Sequence, residues 1–389
     1  MPRTAFVSTY EPQRCGIASF TFDLATAVGE REIVALDPAD ASGPYPAEVR
    51  HRIRREVRAD YVAVAQALNS CGVDVVSIQN EYGIWGGIDG AYVLDFVQAL
   101  RVPAVATLHT VLRKPSYSQR WILTELIGAT AATVVMSQTA AALLIRSYDV
   151  EPDRIKIVPH GVPNLPLVAP DSAKPRLGLQ GRTVILSFGL LGPGKGYESV
   201  IAAMPAVVKA APDASYVILG ATHPDLIRRE GEAYRRSLEA TAAALGVSDH
   251  VLFVDRFVGQ EELGHWLQAA DVFVTPYPNL DQIVSGTLSY AMGAGKAIVS
   301  TPYAYAFEQL ANGRGRLFQP GSADALAGTL IDLLRDPALR TLLGRRAYEY
   351  SRGMVWSEVG AEYRRVFTRA ARSVTPFVMP VEQYAALGG

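Results

Sequence analysis

The 389-residue chain is short of three things, and each shortage excludes something. It has little net charge: 37 Lys and Arg stand against 38 Asp and Glu, a formal charge of -1, which gives a nucleic-acid partner no support. It has only two cysteines, Cys15 and Cys71. Neither belongs to a Cys-x-x-Cys pair or lies near a His cluster, so zinc spacing is absent and both read as reduced thiols. It has no apolar run approaching the roughly 18 residues that a spanning helix needs. The first residues, Met-Pro-Arg-Thr-Ala-Phe-Val, enter a strand-like segment without a signal-peptide apolar core. The expectation is a cytoplasmic protein, with peripheral contact at the inner membrane face left open.

What is present is globular. Hydrophobic residues make up 49% and charged residues 19%, and the length suits two domains better than one core. Short apolar runs alternate with helical patterns. In the first half the runs are 4–10, 32–38, 73–81, 103–110, 131–137 and 156–161, with helix-like stretches such as 17–28, 61–69, 91–100 and 138–148 between them. Prolines at 159, 163, 166, 170 and 175 then interrupt the pattern, which resumes with runs at 183–189, 215–221, 251–257, 271–277, 296–302 and 315–319. Continuous apolar strands alternating with helices mean parallel sheets covered on both faces. We expect an α/β chain of two Rossmann-like, doubly wound domains facing across a cleft. The boundaries are 1–163, a hinge at 164–182, 183–355, and a C-terminal helix and tail at 356–389. The stretch from Glu48 to Arg58 carries five arginines and reads as a solvated helix face, with contact to an anionic membrane or a phosphorylated acceptor as the alternative.

Ligands of such sheets bind beyond the carboxyl ends of the strands. The first strand is followed by Arg14-Cys15-Gly16, where Gly16 opens a helix. After the third comes Glu81-Tyr82-Gly83-Ile84-Trp85, a carboxylate and two aromatics suited to sugar hydroxyls and C–H faces. His109 ends the fourth strand. The second domain opens with Gly189-Leu190-Leu191-Gly192-Pro193-Gly194-Lys195-Gly196, a Gly-rich loop that frees amides for phosphate oxygens and adds a lysine charge. It matches neither the Walker nor the dinucleotide pattern. Later, Ser285-Gly286-Thr287 starts a helix and forms a second phosphate cradle.

These segments, in this order, resemble glycosyltransferase family 4. The resemblance spans nearly the whole chain and rests on the Gly16 loop, His109, the Gly189–Gly196 loop, Ala291-Met292-x-x-Gly295-Lys296, the Glu308 region and the helix at Trp356. It implies the GT-B fold and a retaining transfer of a sugar from a nucleotide-sugar donor to a carbohydrate, lipid-linked or other hydroxyl acceptor. It implies no cofactor and no metal. His109 and Lys195 are the implied catalytic residues. The donor would meet Gly16, Gly189, Gly192, Gly194, Lys195, Arg256, Asp281, Gln282, Ser285, Gly286, Thr287, Tyr290 and Glu308, and the acceptor would meet Arg14, Glu81, Tyr82 and Trp85. The chain departs from the family where an arginine is usual, having Leu190, and where paired glutamates are usual, having Gln282 and Tyr290. Asp281 and Arg256 are the candidate replacements for the lost charges. The competing expectations are a GT-B phosphorylase or epimerase, and a non-catalytic sugar-binding subunit.

Overall fold

The computed structural model describes residues 1–29, 32–38 and 44–373. Residues 374–389 of the expected tail lie outside the described residues. The chain divides into two compact units, Met1–Pro159 with Val359–Gly389, and His160–Glu358.

The first unit runs β1 (Thr4–Ser8), α1 (Gly16–Val28), β2 (Glu32–Asp37), β3 (Val49–Arg54), α2 (Arg58–Leu68), β4 (Val75–Asn80), α3 (Tyr92–Ala99), β5 (Ala104–Leu108), α4 (Tyr117–Ala129), β6 (Ala132–Val135), α5 (Gln138–Tyr148) and β7 (Ile155–Ile157). Its seven strands are parallel in the order β3-β2-β1-β4-β5-β6-β7. β1, β4, β5 and β6 are buried along their whole length, which is why each reads as an unbroken apolar run. The order reverses between β1 and β4, so the loops after these two strands open at the switch point where such sheets bind ligands.

The arginine-rich stretch is not a helix. Glu48–Arg58 forms edge strand β3 and the turn into α2. Arg50, Arg52 and Arg54 alternate outward while Ile53 is buried. Arg52 pairs with Asp37, Arg54 with Asp60 at 2.7 Å and Arg58 with Asp95 at 2.8 Å. A strand that is half solvated and flanked by charges carries no apolar run, and the same charges discourage pairing with another strand at that edge.

The second unit runs α6 (Pro170–Ala173), β8 (Thr183–Phe188), α7 (Tyr197–Ala210), β9 (Ala214–Leu219), α8 (Pro224–Glu230), α9 (Ala233–Ala244), β10 (Val251–Val254), α10 (Gln260–Ala269), β11 (Val272–Thr275), α11 (Gly286–Gly293), β12 (Ala297–Ser300), α12 (Ala304–Gln309), β13 (Arg316–Leu317), α13 (Ala323–Arg335) and α14 (Pro337–Tyr350). The strands are parallel in the order β10-β9-β8-β11-β12-β13, so the switch point lies between β8 and β11. Tyr197, Val200, Met204, Leu326 and Leu330 fill one core cluster; Trp266, Leu267, Leu288 and Met292 fill another. Residues 164–182 lie within this unit. Leu179 is buried in its core, and Lys174 is buried in an ion pair with Asp271 at 2.8 Å.

The last helix, α15 (Trp356–Ala370), begins in the second unit and belongs to the first from Val359 onward. There Phe367 meets the Phe6 ring edge-on at 6.0 Å, and the Tyr363 hydroxyl lies 3.1 Å from Thr107 Oγ1.

Candidate functional site

At the switch point of the second unit the two loops are pressed together. Gly196 has a φ of +70°, and a Cβ there would lie 2.1 Å from the Pro276 carbonyl oxygen. Only glycine satisfies both conditions. Gly189, at φ +131°, sits so that a Cβ would lie 3.6 Å from Thr287 Cγ2. Gly192 and Gly194 face open space. Thus the glycines after β8 divide into two that hold the loop against its neighbours and two that leave its outer side uncovered.

This apposition brings the lysine to the second loop. Lys195 Nζ lies 4.6 Å from the centroid of the Tyr277 ring. The Tyr277 hydroxyl is 2.7 Å from Thr287 Oγ1, which is 3.1 Å from Ser285 Oγ. Ser285 caps α11 by accepting from the Leu288 amide at 3.3 Å. A mobile cation, three hydroxyls and a helix N-terminus therefore converge within one unit, an arrangement that favours an anion.

The chain beyond this cradle is tied down. The Leu280 and Gln282 carbonyls accept from the Ala304 and Tyr305 amides at 2.9 and 3.0 Å, binding the exposed Asp281 loop to the first turn of α12. Glu308 lies one turn further along that helix, where its carbonyl accepts from Arg314 at 3.1 Å. Tyr290 packs against Phe188 and His160 at 6.4 and 6.0 Å.

In the first unit, His109 follows β5 and is 6% exposed. Its amide donates to the Asn80 carbonyl at 2.9 Å, its Nε2 lies 2.9 Å from Gln79 Oε1, and Phe20 meets its ring edge-on at 4.8 Å. Gly16 opens α1 into unobstructed space, with Cys15 Sγ capping the helix by accepting from the Ala18 amide at 3.3 Å. Arg14 is exposed beside it. Glu81 accepts from the Tyr82 amide at 3.0 Å and from Thr110 Oγ1 at 2.5 Å, and burial raises its carboxyl pKa. The Tyr82 hydroxyl donates to the Gln119 carbonyl at 3.3 Å.

Residues 16–164 match the model of Glycosyltransferase Family 4, and residues 171–350 match that of the group 1 glycosyl transferases. A D-inositol 3-phosphate glycosyltransferase of Corynebacterium efficiens is 25% identical over 384 residues, covering 92% of this chain and 88% of that one. The chain is a family 4 glycosyltransferase. A phosphatidyl-myo-inositol mannosyltransferase of Mycolicibacterium smegmatis is 29% identical over 281 residues, covering 70% of the enzyme and 66% of that relative. The crystal structure of Anabaena HepE in complex with UDP gives a TM-score of 0.75 at 16% identity, covering 94% of the enzyme and all of that chain. The fold is GT-B.

Two residues expected in the glycosyltransferase's site are engaged with other partners. Trp85 is 3% exposed and packs between Tyr61 and Phe96, with Nε1 donating to the Gln79 carbonyl at 3.2 Å. Its ring faces are covered by the core and offer no platform to a sugar. Arg256 is exposed and directs its guanidinium to Glu262, 2.6 Å from Nη1 to Oε2, at the start of α10. Tyr277 and Gln79 were not singled out from the sequence, because neither type signals chemistry until the fold sets it beside Lys195 or His109. Among the described residues no three His, Cys, Asp or Glu side chains gather so as to hold a metal ion, and no helix is long and apolar enough to cross a membrane.

His160 packs against the first turn of α11. A Cβ on Gly286, the first residue of α11, would lie 2.9 Å from His160 Nε2, so only glycine lets the ring approach the cradle this closely. Its Nδ1 donates to the Gly161 carbonyl at 2.8 Å, and burial lowers its pKa to about 4. The unfolded chain takes up this proton near the ordinary value of about 6.5 and the folded chain only near 4, so stability present above pH 6.5 is lost as pH falls through that window. The loss should approach about 3 kcal/mol. His160→Asn, which keeps a donor for the Gly161 carbonyl, should flatten the slope; denaturant titrations from pH 4 to 7 that show parallel wild-type and variant curves would contradict this.

Proposed function

We propose that the enzyme is a retaining hexosyltransferase that takes a sugar from a nucleotide-sugar donor and passes it to a hydroxyl of a carbohydrate or lipid-linked acceptor. The observation that carries this reading is the convergence of Lys195, Tyr277, Ser285 and Thr287 on the N-terminus of α11. Lys195 and the amides of Gly192, Gly194, Ser285, Gly286 and Thr287 take the diphosphate, whose charge grows as the glycosidic bond to the leaving phosphate breaks. The chemistry needs no protein nucleophile: the leaving phosphate receives the acceptor proton while an oxocarbenium-like sugar forms on the same face. His109 meets the sugar or the reacting hydroxyl. Gly16 meets the donor, and Arg14, Glu81 and Tyr82 line the acceptor side; each Glu81 oxygen keeps a second lone pair for a hydroxyl. UDP in HepE, and the inositol-phosphate and phosphatidylinositol acceptors in the relatives' names, support the two substrate classes.

A thermal-shift screen of UDP-, GDP- and ADP-linked hexoses tests this reading, since a ligand of the native state raises apparent stability. A stabilising donor that is then hydrolysed or transferred is the expected result; stabilisation by none of them, with turnover of a glycoside by inorganic phosphate to a sugar 1-phosphate and the freed acceptor, would replace transfer by phosphorolysis.

With Gln282 and Tyr290 at the usual glutamate positions, we assign the ribose diol to Asp281 and Glu308. A hydroxyl bond to a charged carboxylate contributes about 1.5–3 kcal/mol, so Asp281→Asn and Glu308→Gln should each weaken the cognate nucleoside diphosphate by about tenfold or more in calorimetric titration. Wild-type affinity in both variants would leave the donor held by its phosphates and sugar alone.

A further inference from the structure

We propose that Gln79 is a positioning residue that holds the His109 imidazole in a single tautomer, with its proton on Nε2 and its acceptor lone pair on Nδ1. The proposal rests on the reading of His109 as the group that meets a substrate hydroxyl. Gln79 is fully buried near the end of β4, beside Thr107 of β5 and two residues from His109. The two ends of its carboxamide face different partners. Nε2 donates to Ser77 Oγ at 3.2 Å, on the same face of β4, and Oε1 lies 2.9 Å from His109 Nε2. A carboxamide oxygen only accepts, so the ring nitrogen opposite it carries the hydrogen. In the neutral imidazole the other nitrogen is then the acceptor.

The surroundings keep this pair from drifting. Trp85 Nε1 donates to the Gln79 carbonyl at 3.2 Å, and the Asn80 carbonyl accepts the His109 amide at 2.9 Å. Phe20 meets the imidazole edge-on at an interplanar angle of 88°. The indole that the sequence offered as a sugar platform thus clamps the strand end that orients the histidine. The chemical consequence is directional. Through Nδ1 the neutral ring can only accept a hydrogen bond, and in that state it cannot protonate a leaving group from the same atom.

Full-length enzyme carrying ring-15N histidine decides the matter by long-range proton–nitrogen correlations, with the His109→Asn variant identifying the His109 signals among the six histidines. The expected pattern is a protonated Nε2 and a pyridine-type Nδ1. Gln79→Glu places a carboxylate against the Nε2 proton and should raise the pH at which the ring titrates by about one unit or more, moving the acidic limb of the pH–rate profile with it. Gln79→Leu removes the acceptor; both tautomers should then appear, and kcat should fall by about tenfold with the donor KM little changed. A wild-type ring protonated on Nδ1 overturns the proposal whatever the variants do, and so does an unmoved titration in a folded Gln79→Glu protein. Wild-type turnover of a UDP- or GDP-hexose by His109→Asn would instead defeat the reading of His109, leaving the tautomer result standing on its own.

Discussion

Lys195→Ala should lower turnover by about a hundredfold while leaving the fold intact. The lysine stands over the Tyr277 ring at 4.6 Å, at the end of a loop whose outer glycines are uncovered. A partly exposed cation–π contact contributes about 0.5–1 kcal/mol to stability, so its loss should move the unfolding temperature only slightly. The catalytic loss is larger because the ammonium acts where negative charge develops in the transition state. One such interaction is worth about a hundredfold in rate, or close to 2.7 kcal/mol of barrier. Lys195→Arg should recover part of the rate, since it keeps the charge and changes its shape. The comparison requires kcat with a donor shown to bind, alongside thermal unfolding of the same preparations. Near-native turnover in Lys195→Ala would remove the residue from the reaction.

Gly196→Ala should be among the most destabilising single changes available in the second unit. The added Cβ would overlap the Pro276 carbonyl oxygen at 2.1 Å and approach its carbon at 3.1 Å. Backbone atoms have no rotamer to adopt, so either the β8 loop or the β11 loop must move. The left-handed φ of +70° adds about 1–2 kcal/mol for any L side chain. Together these should cost about 3 kcal/mol or more. Because the same loops carry Lys195 and Tyr277, donor binding should weaken beyond what lost stability explains. Gly194→Ala is the control: its Cβ would meet nothing within 4 Å. Equal unfolding temperatures for the two variants would mean that the loops are not in contact.

The two sheets were legible to different degrees for one reason. All six strands of the second unit lie, to within one residue, inside runs that read as strands from the sequence, because four of them, β8, β9, β11 and β12, are flanked on both sides by other strands and bury most of their length, and burial on both faces leaves an unbroken apolar signature. In the first unit β3 escaped notice. Its Val-Arg-His-Arg-Ile-Arg pattern is that of an edge, where one face and one flank meet solvent, and its identity comes from pairing with β2. The donor loop was legible as glycine-rich, but not which glycines matter. Gly189 and Gly196 differ from Gly192 and Gly194 only through what stands opposite them.

By itself, then, the sequence determined the alternation of buried strands and helices, the doubly wound character of both units, and the strand ends at which Lys195, Ser285 and His109 stand. Those properties are carried by neighbouring residues, whose periodicity and burial are local. The tertiary structure alone decided that Lys195 lies over Tyr277, that His109 faces Gln79, that Trp85 is core, and that Arg256 is paired with Glu262. Lys195 and Tyr277 come from loops after different strands, and His109 and Gln79 from the ends of adjacent ones. Their meeting depends on strand order and on the packing of large side chains between elements, which no stretch of local sequence encodes.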